Sequence, residues 1–276
     1  MPLRQFQDCR DRIDRAHLHF ENFGNLWSDF VKDEPYTTYV SVDPDGTGRI
    51  EIEPRYDPMP SAFSLELGEG LYQLRAALDA SIRACAIIET GQDPPPKQEE
   101  LEFPITFSRQ AFDDSTWKIA PLSDYRRWMI ETIQPYNVVK GLRPDYLVLS
   151  PHRSMALLHN WARIDRHRRL HVTGSWASNR NPMLHLPEGI SIAYMTVNPD
   201  GFLEHEYQIA DFHLDGWVSG MKLQANPNLA IDIALREDPP PAADNDTLDN
   251  RLKMMRIYVR ETVRGLEDSF ATHPAT

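Results

Sequence analysis

Cysteine is nearly missing from this chain. Cys9 and Cys85 are its two thiols in 276 residues, too far apart for a CxxC pair. A disulfide scaffold and a cysteine-rich zinc module are therefore excluded, and a reducing compartment, the cytoplasm, is the expected location. Glycine is scarce, at 13 residues against 22 prolines, which argues against glycine-rich phosphate loops. GxxxxGK[ST], GxGxxG and GxSxG do not occur, so P-loop, Rossmann and nucleophile-elbow readings lack their markers. HExxH and the ExxH pairs of di-iron bundles are missing too, and no metal or cofactor is expected. No apolar run approaches the roughly 18 residues of a membrane span, and the opening MPLRQFQDCRDRID lacks the apolar centre of a signal peptide. Basic residues are outnumbered, 29 Lys+Arg against 41 Asp+Glu, for a formal net charge of −12. That balance disfavours broad coating of nucleic acid while leaving room for a local basic patch.

What is present is an ordinary soluble composition, 41% hydrophobic and 25% charged, long enough for one large domain or two small ones. Phe6, Cys9, Ile13, Ala16, Phe20, Phe23, Trp27 and Phe30 recur at steps of three and four, which predicts one amphipathic helix about 40 Å long. Runs at 36–42 and 49–56 flank DPDGTG and predict a hairpin. A second helix is predicted over 63–88, with Leu67, Leu71, Leu74, Leu78, Ile82 and Cys85 as its buried stripe, ended by Gly91 and the DPPP run. Shorter helices are predicted at 124–133 and 151–168, the latter with Ser150 as N-cap and Pro151 in the first turn. From 170 to 235 the period becomes two. Ile190, Ile192 and Tyr194 alternate, as do Leu229, Ile231, Ile233 and Leu235, and NPDG at 198–201 reads as a further turn. The acidic, proline-rich stretch 236–246 reads as a linker or exposed loop. Leu248, Leu252, Met255, Val259, Val263, Leu266 and Phe270 form the stripe of a last helix. The fold class that follows is α+β, a helical core with long terminal helices and an antiparallel β-sheet. The terminal helices can pack together, so 1–276 reads as a single α+β domain, with a sub-boundary near 170 between a helical and a β-rich part.

Some clusters have plain structural readings. DPDGTGRIEIE places Asp43, Asp45 and Thr47 where a calcium loop has ligands, but position 12 is Pro54 rather than glutamate and the flanks are strand-like. A hairpin turn is the better account. His17 and His19 point different ways on a helix and read as solvent or edge residues. Glu204 and Glu206 fall on one face of strand-like sequence beside His205, with His213 further on, and read as a solvated sheet face.

One constellation carries chemistry. On the helix from Pro151, the apolar side holds Leu157, Trp161 and Ile164, while His152, His159, Arg163 and Arg166 share the opposite side with His167 near it. Beside the reading as a solvated face stands that of an anion or RNA-phosphate site, because arginine offers bidentate donors and histidine titrates near neutrality. Arg166 and His171 match the Rx4-6H pattern and so resemble HEPN-type ribonucleases, metal-independent enzymes built on helical bundles. That resemblance implies a histidine moving a proton during 2′-hydroxyl attack and an arginine stabilising the phosphorane. An ideal helix would set Arg166 and His171 about 140° apart, so the helix must unwind at its end for them to meet. His167 and His171 also have zinc spacing, but HRRLH lacks the catalytic glutamate and its arginines repel a dication. On the second helix Arg75 sits inside the apolar stripe and needs a partner, for which Asp79 is one turn away. The pair is structural, or it lines a pocket that also receives Asp165 or His167.

LGEGLYQLRAALD, FPI at Phe103, IQPY at Ile133 and ARIDRHRRLHV follow one another in an order that resembles a broad, largely uncharacterised bacterial family. Its members commonly read LGDALHNLRSALDHL, FPI, QPY and a DKHR-like run, and the likeness spans roughly 67–172. The resemblance implies that Arg75, Asp79, Asp165, His167 and Arg168 occupy the family's characteristic positions; no activity follows from it. The chain departs from the pattern at Tyr72 and Ala80, where the family carries histidines. The histidine missing at Ala80 removes an Rx4H match from the second helix.

The leading functional expectation is HEPN-like, metal-independent RNA cleavage or RNA binding. Arg166 would stabilise phosphate charge, His171 or His167 would transfer the proton, and Arg75 with Asp79 would orient the site. His159, Arg163, Asp165 and Arg168 would bind. The alternatives are a non-catalytic protein-interaction module of bacterial origin, recognising a partner through its terminal helices, and an enzyme acting on a small phosphorylated ligand. Nothing in the sequence sets an oligomeric state.

Overall fold

The computed structural model describes residues 2–56, 59–138, 143, 146–147, 149–176, 183–198, 201–226, 231–237 and 246–275. Its α-helices among these are α1 (Gln7–Lys32), α2 (Ser61–Thr90), α3 (Arg109–Ser115), α4 (Asp124–Thr132), α5 (Pro151–His167) and α6 (Leu248–Thr272). The strands are β1 (Tyr36–Val42), β2 (Thr47–Pro54), β3 (Val172–Trp176), β4 (Met183–His185), β5 (Ser191–Val197), β6 (Gly201–Phe202), β7 (Tyr207–Asp215), β8 (Gln224–Asn226) and β9 (Ile231–Leu235). The class is α+β. No described helix is long and apolar enough to cross a membrane.

Contacts divide the chain into two compact units. The first comprises Met1–Gly24, Ser64–Leu170 and Pro239–Thr276, the second Asn25–Phe63 and His171–Asp238. The first is helical. Phe6, in the 3-10 turn just before α1, and Cys9, Ile13 and Ala16 of α1 are buried, as is the whole predicted stripe of α2 from Leu67 to Cys85. Each buried Leu, Ile or Phe among these contributes roughly 1.5–3 kcal/mol. The terminal helices meet here. Phe6 packs edge-on against Phe270 at 6.4 Å, and Arg10 forks onto Glu267 at 3.0 Å. Arg126 of α4, 1% exposed, donates to Glu89 of α2 at 2.6 Å, to Ser269 of α6 at 2.9 Å and to the His273 carbonyl at 2.6 Å. Glu89 in turn caps the Ser123 N–H.

In the second unit β1-β2-β7-β5 form an antiparallel sheet, with β6-β3-β9 and β4-β8 beside it. The hairpin turn is as its residues predict: the Asp45 carboxylate accepts the Thr47 N–H at 2.9 Å and Val42 pairs with Gly48. Ile50, Ile52, Ile209, Phe212 and Leu214 fill the sheet's core. Trp27, Phe30, Phe63 and Tyr56 form an aromatic cluster, with Phe30 and Tyr56 at 5.1 Å.

Several expectations are corrected. Ser150 takes the N-cap position with extended backbone and Pro151 the first turn, as expected, although the Ser150 side chain makes no capping hydrogen bond. Residues 203–206 lie outside any strand, with a bend at 204–205 between β6 and β7, so Glu204 and Glu206 do not share a sheet face. Ile192 and Tyr194 are 40% and 53% exposed, because β5 ends the sheet order and a bulge interrupts its register with β7 between them. The stretch expected to be an exposed loop closes on Asp246, whose side chain is 0% exposed between Arg153 and Arg251. Of the rest of that stretch, 238–245 lie outside the described residues, as do Leu229 and the Pro199-Asp200 turn. Helix α3 was not legible as a period; Ser108 caps it by accepting the Ala111 N–H.

Candidate functional site

The segments around Arg75, Phe103 and Gln134 interlock in the first unit. Arg75 Nη2 donates to the Phe103 carbonyl at 2.6 Å and lies 2.8 Å from Glu102 and 3.1 Å from Asp79. Asp79 accepts the Phe103 N–H at 2.9 Å. One helical turn of α2 thus grips both backbone groups of the extended FPI segment. From the other side the buried Gln134 amide donates to the Pro104 carbonyl and accepts the Thr106 N–H, both at 2.8 Å. These bonds satisfy the Phe103 N–H and carbonyl, the Pro104 carbonyl and the Thr106 N–H of an irregular buried segment.

The same Arg75 faces a cleft of about 520 Å³. Its floor is the strip of α2 bearing Gly68, Ala76 and Ala80, and Tyr72, Asp79 and Arg83 lie along the same helix. Asp8 and Arg12 enter from α1, Gln98, Leu101 and Glu102 line it from the segment before Phe103, and Ala162, Asp165 and Arg166 come from α5. Gly68 permits this approach, since a Cβ there would collide with the Asp165 carboxylate. Most of the cations are paired: Arg12 with Asp8 at 2.9 Å and Arg83 with Asp93 at 2.9 Å. Arg75 Nη1, by contrast, is buried with no hydrogen-bond partner among the described residues. Arg166 is exposed at the rim.

Titration behaviour follows from these neighbours. Burial pushes the Asp79 carboxyl up, against the pull of Arg75 and the Phe103 N–H. Burial and then Glu69 raise Asp165, which the Leu170 N–H opposes. Burial alone would raise Glu102, but Lys118 and Arg75 together hold it below the usual range. His159 is lowered by burial and then by Arg75, Arg163 and Arg166. It sits in a neighbouring recess with Phe107, Asn160 and Arg163, its ring edge-on to Phe107 at 5.7 Å.

Of the residues singled out from sequence, Arg75, Asp79, Asp165 and Arg166 line one cleft. His159 and Arg163 line the recess beside it. α5 ends at His167, which is exposed, and Arg168 is extended with its N–H on the Ile164 carbonyl at 2.8 Å. His167 and His171 are therefore not one helical turn apart, and the spacing that fits zinc is not realised. His171 opens the second unit, where its Nε2 lies 3.2 Å from Glu204 and its N–H donates to Glu237. The cleft is built from first-unit residues without it. Arg12, Glu102 and Phe107 were missed by sequence reasoning; only the i, i+4 spacing of Asp8 and Arg12 hinted at the first. Another recess, about 670 Å³ between the start of α1 and the end of α6, offers less chemistry, since its Arg10 is already bonded to Glu267. Among the described residues no group of three or more His, Cys, Asp or Glu side chains is placed to hold a metal ion. No family model matches this chain, and no curated protein or solved structure is significantly similar to it.

Proposed function

We propose that the first unit binds a small phosphate-bearing ligand in the Arg75 cleft. The observation that supports this most directly is Arg75 Nη1, a buried guanidinium nitrogen left without an acceptor. The charge is met through Nη2 by Glu102 and Asp79, but an unsatisfied donor out of water is costly, and a phosphate oxygen is among its strongest partners. Arg166 at the rim adds a second, solvent-facing fork, and about 520 Å³ falls within the range of small-molecule sites. Binding to the native state raises the melting temperature, so a panel of phosphorylated metabolites is expected to shift it, with the shift lost in Arg166→Ala. No shift with any phosphorylated compound at millimolar concentration would remove this reading.

RNA cleavage is the second reading, and one observation favours it. His159 is held below its ordinary value beside the exposed Arg163, so it is neutral at pH 7 and able to accept a proton. Chelator-insensitive cleavage of a mixed RNA pool, lost in His159→Ala and Arg166→Ala, is its expected signature. Cleavage lost in His171→Ala and kept in His159→Ala would move the chemistry to the second unit.

A further inference from the structure

We infer that the ligand of the Arg75 cleft is a mononucleotide, with its base against the ring of Tyr72 and its phosphate toward Arg75 and Arg166. This rests on the phosphate reading and goes further by naming the class of ligand. Tyr72 lines the cleft three residues before Arg75 on α2, and 57% of it is exposed. A large aromatic ring left in water at the mouth of a cleft is a platform for a planar partner, and base–aromatic stacking tolerates any base. The α2 strip beside the ring has no side chain longer than a methyl group at Gly68, Ala76 and Ala80, which leaves a flat apolar floor. On α2, Tyr72 and Arg75 are separated by about 4.5 Å of helix rise, a spacing on the scale that divides a base from its phosphate.

The mixed charge of the cleft argues in the same direction. A ligand that was only anionic would be repelled by Asp79, Glu102 and Asp165. A nucleotide offers phosphate oxygens to arginine and also hydroxyl and amino donors to carboxylates. The cleft presents both kinds of partner.

Calorimetric titration of the full chain separates the possibilities, using the four ribonucleoside monophosphates, ribose 5-phosphate and adenosine as probes. At least one nucleotide is expected to bind roughly tenfold or more tightly than ribose 5-phosphate. That preference should persist in Tyr72→Phe, which keeps the ring, and vanish in Tyr72→Ala, with thermal unfolding of both exposed-site variants unchanged. Equal binding of ribose 5-phosphate and every nucleotide overturns the base subsite and leaves the phosphate reading standing. Adenosine binding as tightly as its monophosphate, or no binding by any probe, overturns both.

Discussion

Burial decides what individual side chains can do here, and two of them give direct tests. His159 has an ordinary value of 6.5, which burial and then three arginines lower. Below pH 6.5 the unfolded chain therefore binds a proton that the native chain refuses, so this group subtracts stability as the solution is acidified through that window. His159→Asn is expected to flatten the fall in urea midpoint between about pH 7.5 and about pH 5.5. Equal falls in both proteins would show that His159 is not so placed. The cysteines are a second case. Burial pushes Cys9 up to about 12 and Cys85 higher still, and neither has exposed surface. An aromatic disulfide reagent should label neither in the native protein and both in urea, because the thiolate is the reactive form. Rapid native labelling of either would contradict the packing of α1 on α2.

At the scale of elements, the crossing of α1 and α2 depends on a glycine that helix propensity alone would replace. A Cβ on Gly70 would fall within the ring of Phe20. A Cβ on Gly24, also helical, would meet nothing within 4 Å. Gly24→Ala should therefore stabilise by about 0.5–1 kcal/mol, as glycine costs that much in a helix interior. Gly70→Ala should instead destabilise by about 1–3 kcal/mol through overpacking, the same substitution with the opposite sign. Chemical unfolding of the two variants reads both numbers, and a stabilised Gly70→Ala would mean that α1 and α2 are further apart. Both glycines sit in plainly helical sequence, so their difference was invisible until the helices were paired.

For the first unit as a whole, Arg126 is the buried tie between segments distant in the chain. It joins α2 through Glu89, α6 through Ser269 and the chain beyond α6 through the His273 carbonyl. Its guanidinium also lies over the Phe270 ring at 3.5 Å. Removing it strands Glu89, which is 8% exposed, so Arg126→Ala should cost about 3–5 kcal/mol in urea unfolding. Arg126→Lys should recover little, because one ammonium cannot reach the same set of acceptors. A loss under about 1 kcal/mol would show that water reaches the site.

Periodicity and turn chemistry by themselves determined the long helices, the DPDGTG hairpin and the α+β class, because each is set by contacts between residues near in sequence. Arg75 is the instructive residue. Its place inside the α2 stripe showed that it needed a partner, and Asp79 one turn on was a partner a helix supplies automatically. That both would hold the backbone of Phe103, and that one nitrogen of Arg75 would be left without an acceptor beside Tyr72 and Arg166, depended on the approach of α5 and the 98–106 segment. Only the tertiary structure decided those approaches, as it decided that His159 lies among arginines and that α5 stops before His171. Long-range packing sets which groups share a dry space, and no spacing along one helix encodes that.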